Sequence, residues 1–111
     1  MNFVENKPWG TYENILDENY CKVKKIIIKP GQRPSYQYHF KRSEHWIIVS
    51  GKAKITLDDE CKTRSSGDYI FIPLKAKHRI ENIGSQDLIF IEVQTGEYFG
   101  EDDIIRLSND Y

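Results

Sequence analysis

Residues 52–57, KAKITL, alternate without interruption: Ala53, Ile55 and Leu57 fall on one face of an extended chain, Lys52, Lys54 and Thr56 on the other. That two-residue period is the mark of a strand with one buried side, and similar segments recur along the chain. TYENIL runs into the turn-forming DEN, and CKVKKIIIK is closed by Pro30-Gly31. SYQYHF and EHWIIVSG flank a charged KRS loop. DDE turns the chain into CKTRSSG, DYIFIP stops at Pro73, and HRIENIG and DLIFIEVQTG complete the series. Only GEDDIIRL leaves room for a turn or two of helix. Eight to ten short strands with little helix predict a closed barrel or a two-sheet sandwich, as one all-β domain over residues 1–111.

Seven Tyr, five Phe and two Trp, with many isoleucines and valines, suit strands. A formal charge of −1 gives no global pull towards nucleic acid or an anionic membrane. The charge is uneven, however. Seven basic and no acidic residues lie between Lys22 and Ser43, while Glu97 to Tyr111 holds five acids against Arg106 alone. The basic run reads as the solvated face of a strand, or as a rim that attracts a small anion such as a phosphate ester.

No apolar run is long enough to span a membrane, and MNFVENKPWG has no signal-peptide pattern. Cys21 and Cys61 lack CxxC spacing, so reduced thiols in a cytoplasmic protein are expected.

SYQYHFKRSEHW concentrates the polar chemistry. Gln37 and His39 are two apart and share a strand face. Glu44 starts the next strand, and His78 opens a later one after IPLKAK. A carbonyl oxygen, two imidazoles and a carboxylate suit zinc, manganese, iron, cobalt or nickel. Surface polars would produce the same ligand types by chance. The glycines and prolines around them make the pattern specific: Gly31-x5-Gln37-x-His39-x4-Glu44-x6-Gly51, then Gly67-x5-Pro73-x4-His78-x3-Asn82. This resembles the two motifs of the cupins, with Gln37 at the usual first histidine and Lys75 at a usual glycine. The resemblance implies a double-stranded β-helix, a jelly-roll barrel with its ligands at the mouth.

KPWGTYENIL, RSEHW, HRIEN and GEDDI-R resemble, in order and spacing, the C-terminal cupin domain of type II mannose-6-phosphate isomerases, over nearly the whole chain. Family members often carry a guanylyltransferase half as well; none lies within these residues, so guanylyl transfer is not expected. The family's run of histidines after the glutamine is replaced here by YHFK. The resemblance implies that Gln37, His39, Glu44 and His78 hold a divalent metal, zinc foremost. It also implies that the chain interconverts mannose 6-phosphate and fructose 6-phosphate through an enediol.

Such a reaction needs a base, an electrophile and a phosphate anchor. Arg42 is important by resemblance, and its guanidinium suits an enediolate or a phosphate. His45 and Glu92 are the candidate bases. Lys29, Arg33 and Arg106 are candidate phosphate contacts, with Arg106 alternatively paired to Asp102 or Asp103. His45 is out of phase with Glu44, and if the isoleucine face fills the barrel Glu92 and Gln94 lie outside it. A homodimer is expected. The competing readings are a non-catalytic cupin that binds a sugar phosphate or nucleotide sugar as an accessory subunit, and a different cupin enzyme such as an iron dioxygenase or a sugar epimerase.

Overall fold

The computed structural model describes residues 3–111. Eleven strands are found among them: β1 (Phe3–Lys7), β2 (Gly10–Asp17), β3 (Cys21–Ile28), β4 (Tyr36–Tyr38), β5 (Arg42–Ser50), β6 (Lys52–Leu57), β7 (Glu60–Ser65), β8 (Tyr69–Ile72), β9 (His78–Asn82), β10 (Leu88–Gly96) and β11 (Ile105–Ser108). They form two antiparallel sheets, ordered β1-β2-β3-β10-β5-β8 and β11-β4-β9-β6-β7. Sequence-adjacent strands alternate between the sheets from β3 onward, except within the β6–β7 hairpin. The result is a jelly-roll barrel, the fold class expected from the sequence. Among the described residues no helix is long and apolar enough to cross a membrane.

Local sequence explains the joints. The β6–β7 loop is only Asp58 and Asp59, both with positive φ (47° and 69°), which is the mirror-image turn that matches strand twist and that aspartate tolerates. At Gly10 (φ 153°) an added Cβ would stand 1.9 Å from the Ile27 carbonyl oxygen, so only glycine lets β2 lie this close to β3. GEDDIIRL does not become helical. Its last part pairs as β11 with β4, Ile105 opposite Tyr38 and Arg106 opposite Gln37. A run this short carries no helical stripe of its own, and an open sheet edge supplies the backbone partners it needs.

The barrel interior is graded along its axis. On β3 the inward residues are Lys22, Lys24, Ile26 and Ile28; on β10 their partners are Gln94, Glu92, Phe90 and Leu88. On β5, Glu44 lies opposite Gln94, Trp46 opposite Glu92, and Ile48 opposite Phe90. One end is therefore dry, with Ile28, Ile48, Ile72 and Leu88 at 0–1% exposure. Each such side chain contributes roughly 1.5–3 kcal/mol on burial. The other end is lined by charges and amides. From the facing sheet, Ala53, Ile55 and Ile80 close the apolar end, and His78 and Gln37 face each other at the polar end.

Candidate functional site

The polar end opens into a cavity of about 650 Å³. Its walls include Gln37, Arg42, Glu44, Trp46, His78 and Glu92. Glu44 is the centre. His39 Nε2 is 3.2 Å from Glu44 Oε2, and His78 Nε2 is 3.8 Å from Glu44 Oε1. One donor atom from each of the three side chains lies within 4.8 Å of the others, and all three residues are buried.

Both imidazoles are oriented from behind. His39 Nδ1–H donates to the Asp103 carbonyl at 2.7 Å, and His78 Nδ1–H donates to the Ala76 carbonyl at 2.9 Å. Each Nε2 lone pair is thereby turned towards Glu44, the arrangement by which backbone carbonyls set histidines as metal ligands. Lys75, at the motif's glycine position, keeps the left-handed backbone (φ 65°), and its N–H donates to the His39 carbonyl at 2.9 Å. Gln37 lies opposite His78 on β4. Its amide nitrogen donates to the Ser35 carbonyl and hydroxyl, leaving the amide oxygen as the ligand-type atom.

Burial alone would raise the Glu44 carboxyl. Its contacts with His39, then His78 and Arg42, hold it well below the usual carboxylate range. Burial pushes the His78 imidazole down, towards the neutral form that binds metals. Burial, then the neighbouring Glu44, pushes Glu92 up to about 8. The Trp46 indole N–H donates to both carboxyls, at 3.0 Å to Glu44 and 3.2 Å to Glu92. Two imidazole nitrogens and a carboxylate, aimed at one point with an amide oxygen nearby, fit a divalent transition metal.

The other candidates are dispersed. Arg42 is inside, its Nε donating to Glu44 at 3.0 Å and its Nη2 to His39 Nε2 at 3.3 Å. Glu92 and Gln94 are also inside, because it is the isoleucine face of β10 that turns outward. His45 is on the opposite face of β5 from Glu44, hydrogen-bonded to the Tyr69 hydroxyl at 2.7 Å and packed against Phe71. That position takes it away from the expected role of base. Lys29 is exposed beyond β3, and Arg33 is engaged by Asp110 (2.6 Å) and Glu81 (3.4 Å), so neither lines the cavity. Arg106 does line it, and neither Asp102 nor Asp103 is its partner: Asp102 takes the Tyr98 hydroxyl, and Asp103 takes the N–H groups of Phe40 and Lys41. Asn82 ties strand ends together through the Ile28 and Gln86 carbonyls. Lys24, Arg79 and Glu101 line the cavity without having been singled out from sequence. The shared parity of Lys22 and Lys24 with Ile26 and Ile28 was the available signal.

The model of the family described as mannose-6-phosphate isomerase C-terminal matches residues 3–109. The chain belongs to that family. Its relatives include mannose-1-phosphate guanylyltransferase 2 of Escherichia coli O157:H7, 49% identical over 105 residues, and the alginate biosynthesis protein AlgA of Pseudomonas aeruginosa, 45% identical. Each alignment covers 95% of this chain and 22% of the relative, so the chain spans about a fifth of their length. Among solved structures, the oxalate decarboxylase of Lactobacillus farciminis aligns with TM-score 0.83 and 25% identity over 96% of this chain and 33% of that one. The capsular polysaccharide assembling protein CapF of Staphylococcus aureus aligns with TM-score 0.82 and 24% identity over 97% and 34%, a likeness of fold alone.

The relatives overturn one expectation. The family resemblance implies interconversion of mannose 6-phosphate and fructose 6-phosphate, but several of the similar longer proteins are named as mannose-1-phosphate guanylyltransferases and not as isomerases. The name of the family describes a domain type, and an isomerase activity does not follow from it for this chain. What stands is a domain shared with enzymes of mannose phosphate chemistry.

Proposed function

We propose that this chain is a metal-binding cupin module that recognises a phosphorylated mannose, mannose 1-phosphate or its guanylylated product, in the service of guanylyl transfer. The observation that carries this reading is the set of cations in the cavity wall: Lys7, Lys24, Arg42, Arg79 and Arg106, interspersed with Glu5, Glu92 and Glu101, line an opening that reaches Glu44 and His78. A volume of about 650 Å³ suits a sugar phosphate, within the roughly 300–1,000 Å³ usual for small-ligand sites.

Each part of such a ligand has a matching wall. Arginines grip phosphate oxygens in pairs of parallel hydrogen bonds. The Glu92 carboxyl and the Gln94 amide, joined at 2.8 Å, offer acceptors and donors to hydroxyl groups. Trp46 supplies a flat apolar surface beside them. The metal would be held by His39, Glu44 and His78 with the Gln37 oxygen, and zinc suits that mixed set. When bound it would supply a Lewis acid for sugar oxygens. The free thiols of Cys21 and the exposed Cys61 accord with a reducing, cytoplasmic setting.

The reading extends to a homodimer. On the outer face of the β5–β8 edge, Ile47, Val49, Tyr69 and Phe71 are 41–54% exposed, with Ile47 opposite Tyr69 in register. A two-fold axis would lay this self-complementary apolar patch on its own copy.

Calorimetric titration of the zinc-loaded chain tests the binding reading. Saturable one-to-one binding of mannose 1-phosphate, weakened about tenfold or more when the phosphate is omitted and mannose is used, is expected. No heat from mannose 1-phosphate or from guanosine-diphosphate mannose, on protein that retains its metal, would contradict it.

A further inference from the structure

Two lysines point into this barrel. Lys22 and Lys24 alternate with Val23 and Lys25 on β3 so that their side chains share the inner face with Ile26 and Ile28, and both are 5–6% exposed. Ammonium groups drawn this far from water require a counter-charge. It comes from the loop between β10 and β11: Glu101 Oε1 is 2.6 Å from Lys24 Nζ and 3.3 Å from Lys22 Nζ, while the Phe99 carbonyl accepts from Lys22 at 3.2 Å. The Tyr12 ring lies 4.1 Å from Lys24 Nζ and steadies it from the side.

A third cation, Arg42, lines the same cavity as Lys24 and Glu101. Arg42 also draws the Glu101 carboxyl down, behind Lys24 in strength. Its Nη1 is buried with no hydrogen-bond partner among the described residues, although Arg42 lines the cavity and is 6% exposed. An unsatisfied guanidinium N–H at such a depth is costly unless something else fills it.

Glu101 itself is half in solvent, its side chain 52% exposed. The loop is pinned on either side of it, by buried Phe99 and by Asp103, whose carboxylate accepts the Phe40 and Lys41 N–H groups. A rotation of the Glu101 side chain would therefore free Lys24 without moving the loop, while Lys22 keeps the Phe99 carbonyl.

We propose that Lys24 and Arg42, which line the cavity, form its phosphate subsite with Lys22 behind them on the same carboxylate, and that Glu101 is an internal stand-in for the phosphate, displaced when the ligand enters. The assignment deepens the sugar-phosphate reading and rests on it for the identity of the ligand. The carboxylate keeps the buried lysines paired in the free protein. It also sets a threshold, because the incoming dianion must out-compete a tethered monoanion.

The test uses the full chain and two probes, inorganic phosphate and mannose 1-phosphate. Glu101→Gln should tighten both by about tenfold, the worth of one charge-assisted hydrogen bond. Lys24→Met should weaken both by at least that factor, and should erase the gain when combined with Glu101→Gln. Unchanged or weaker binding in a well-folded Glu101→Gln overturns the assignment. A measurement on unaltered protein stands independently of the variants: carboxyl footprinting read by mass spectrometry should show Glu101 more reactive when phosphate is bound. Reactivity that is unchanged or reduced at saturating phosphate overturns the assignment as well. If inorganic phosphate exposes Glu101 while mannose 1-phosphate does not bind, the subsite stands and the sugar reading falls. If mannose 1-phosphate binds with no dependence on Glu101 or Lys24, the reverse holds.

Discussion

Arg42 Nε donates to Glu44 Oε2 at 3.0 Å, and both side chains are almost wholly buried, at 6% and 2% exposure. They are two residues apart on β5, so the strand presents acid and base side by side on its inner face. Breaking such a pair from one side leaves the other charge stranded. Glu44→Gln is therefore expected to cost roughly 3 kcal/mol of stability in the metal-free protein. Urea unfolding would read it; a loss under about 1 kcal/mol would mean that the interior is wetter than the burial implies.

Asp103 acts through the loop it holds. Its carboxylate fixes the Phe40 and Lys41 N–H groups, at 3.0 and 2.9 Å, and its carbonyl orients His39. Asp103→Ala should lower stability by about 1–2 kcal/mol and weaken metal binding about tenfold, because His39 loses its fixed orientation. Competition with a chromogenic chelator measures the second effect. An unaltered metal affinity would disconnect the loop from the site.

Glu101 predicts a pH dependence. Burial would raise its carboxyl, but Lys24, Arg42 and Lys22 together draw it below the ordinary value of 4.5. A lowered folded-state pKa gives stability that is present above the unfolded value and lost as pH falls through the folded one. The wild type should exceed Glu101→Gln by about 1 kcal/mol or less above pH ~5, the side chain being half exposed, and the gap should close progressively below pH ~4. Melting curves across that range check the sign. A gap that widens in acid would reverse it.

The outer face of β5 and β8 predicts association. Phe71→Glu, placed in the middle of the apolar patch, should convert a dimer to a monomer in light scattering without lowering the melting temperature of the dilute protein. A wild type that is monomeric at all concentrations would remove the proposed dimer.

Much of this molecule was readable from its residues. KAKITL became β6 over the same six positions, and the spacing of His39, Glu44 and His78 named three side chains that the fold brings within 4.8 Å of one another. The glycine and proline punctuation fixed where strands end, which is local chemistry. Parity was harder. Along β10 the rule that apolar faces turn inward would hide Ile89, Ile91 and Val93 and expose Glu92 and Gln94, and the reverse is found. A barrel mouth lined with polar side chains inverts the rule over its last two layers, and no single strand reveals this. The same inversion concealed Lys22 and Lys24 within a run that resembled a solvated face. His45 and Glu44, adjacent in sequence, part to opposite faces because a strand must separate neighbours. The fate of GEDDIIRL depended on a free edge at β4, a partner distant in sequence.

Metal titration of the chelator-stripped protein tests the central claim most directly, with His78→Ala measured alongside. One zinc ion per chain is expected, with affinity falling about a hundredfold or more in His78→Ala while the circular dichroism of the barrel is kept. No stoichiometric binding of zinc, manganese, cobalt, iron or nickel, or equal affinity in wild type and His78→Ala, would contradict it: the convergence of His39, Glu44 and His78 would then serve only to hold the two sheets together.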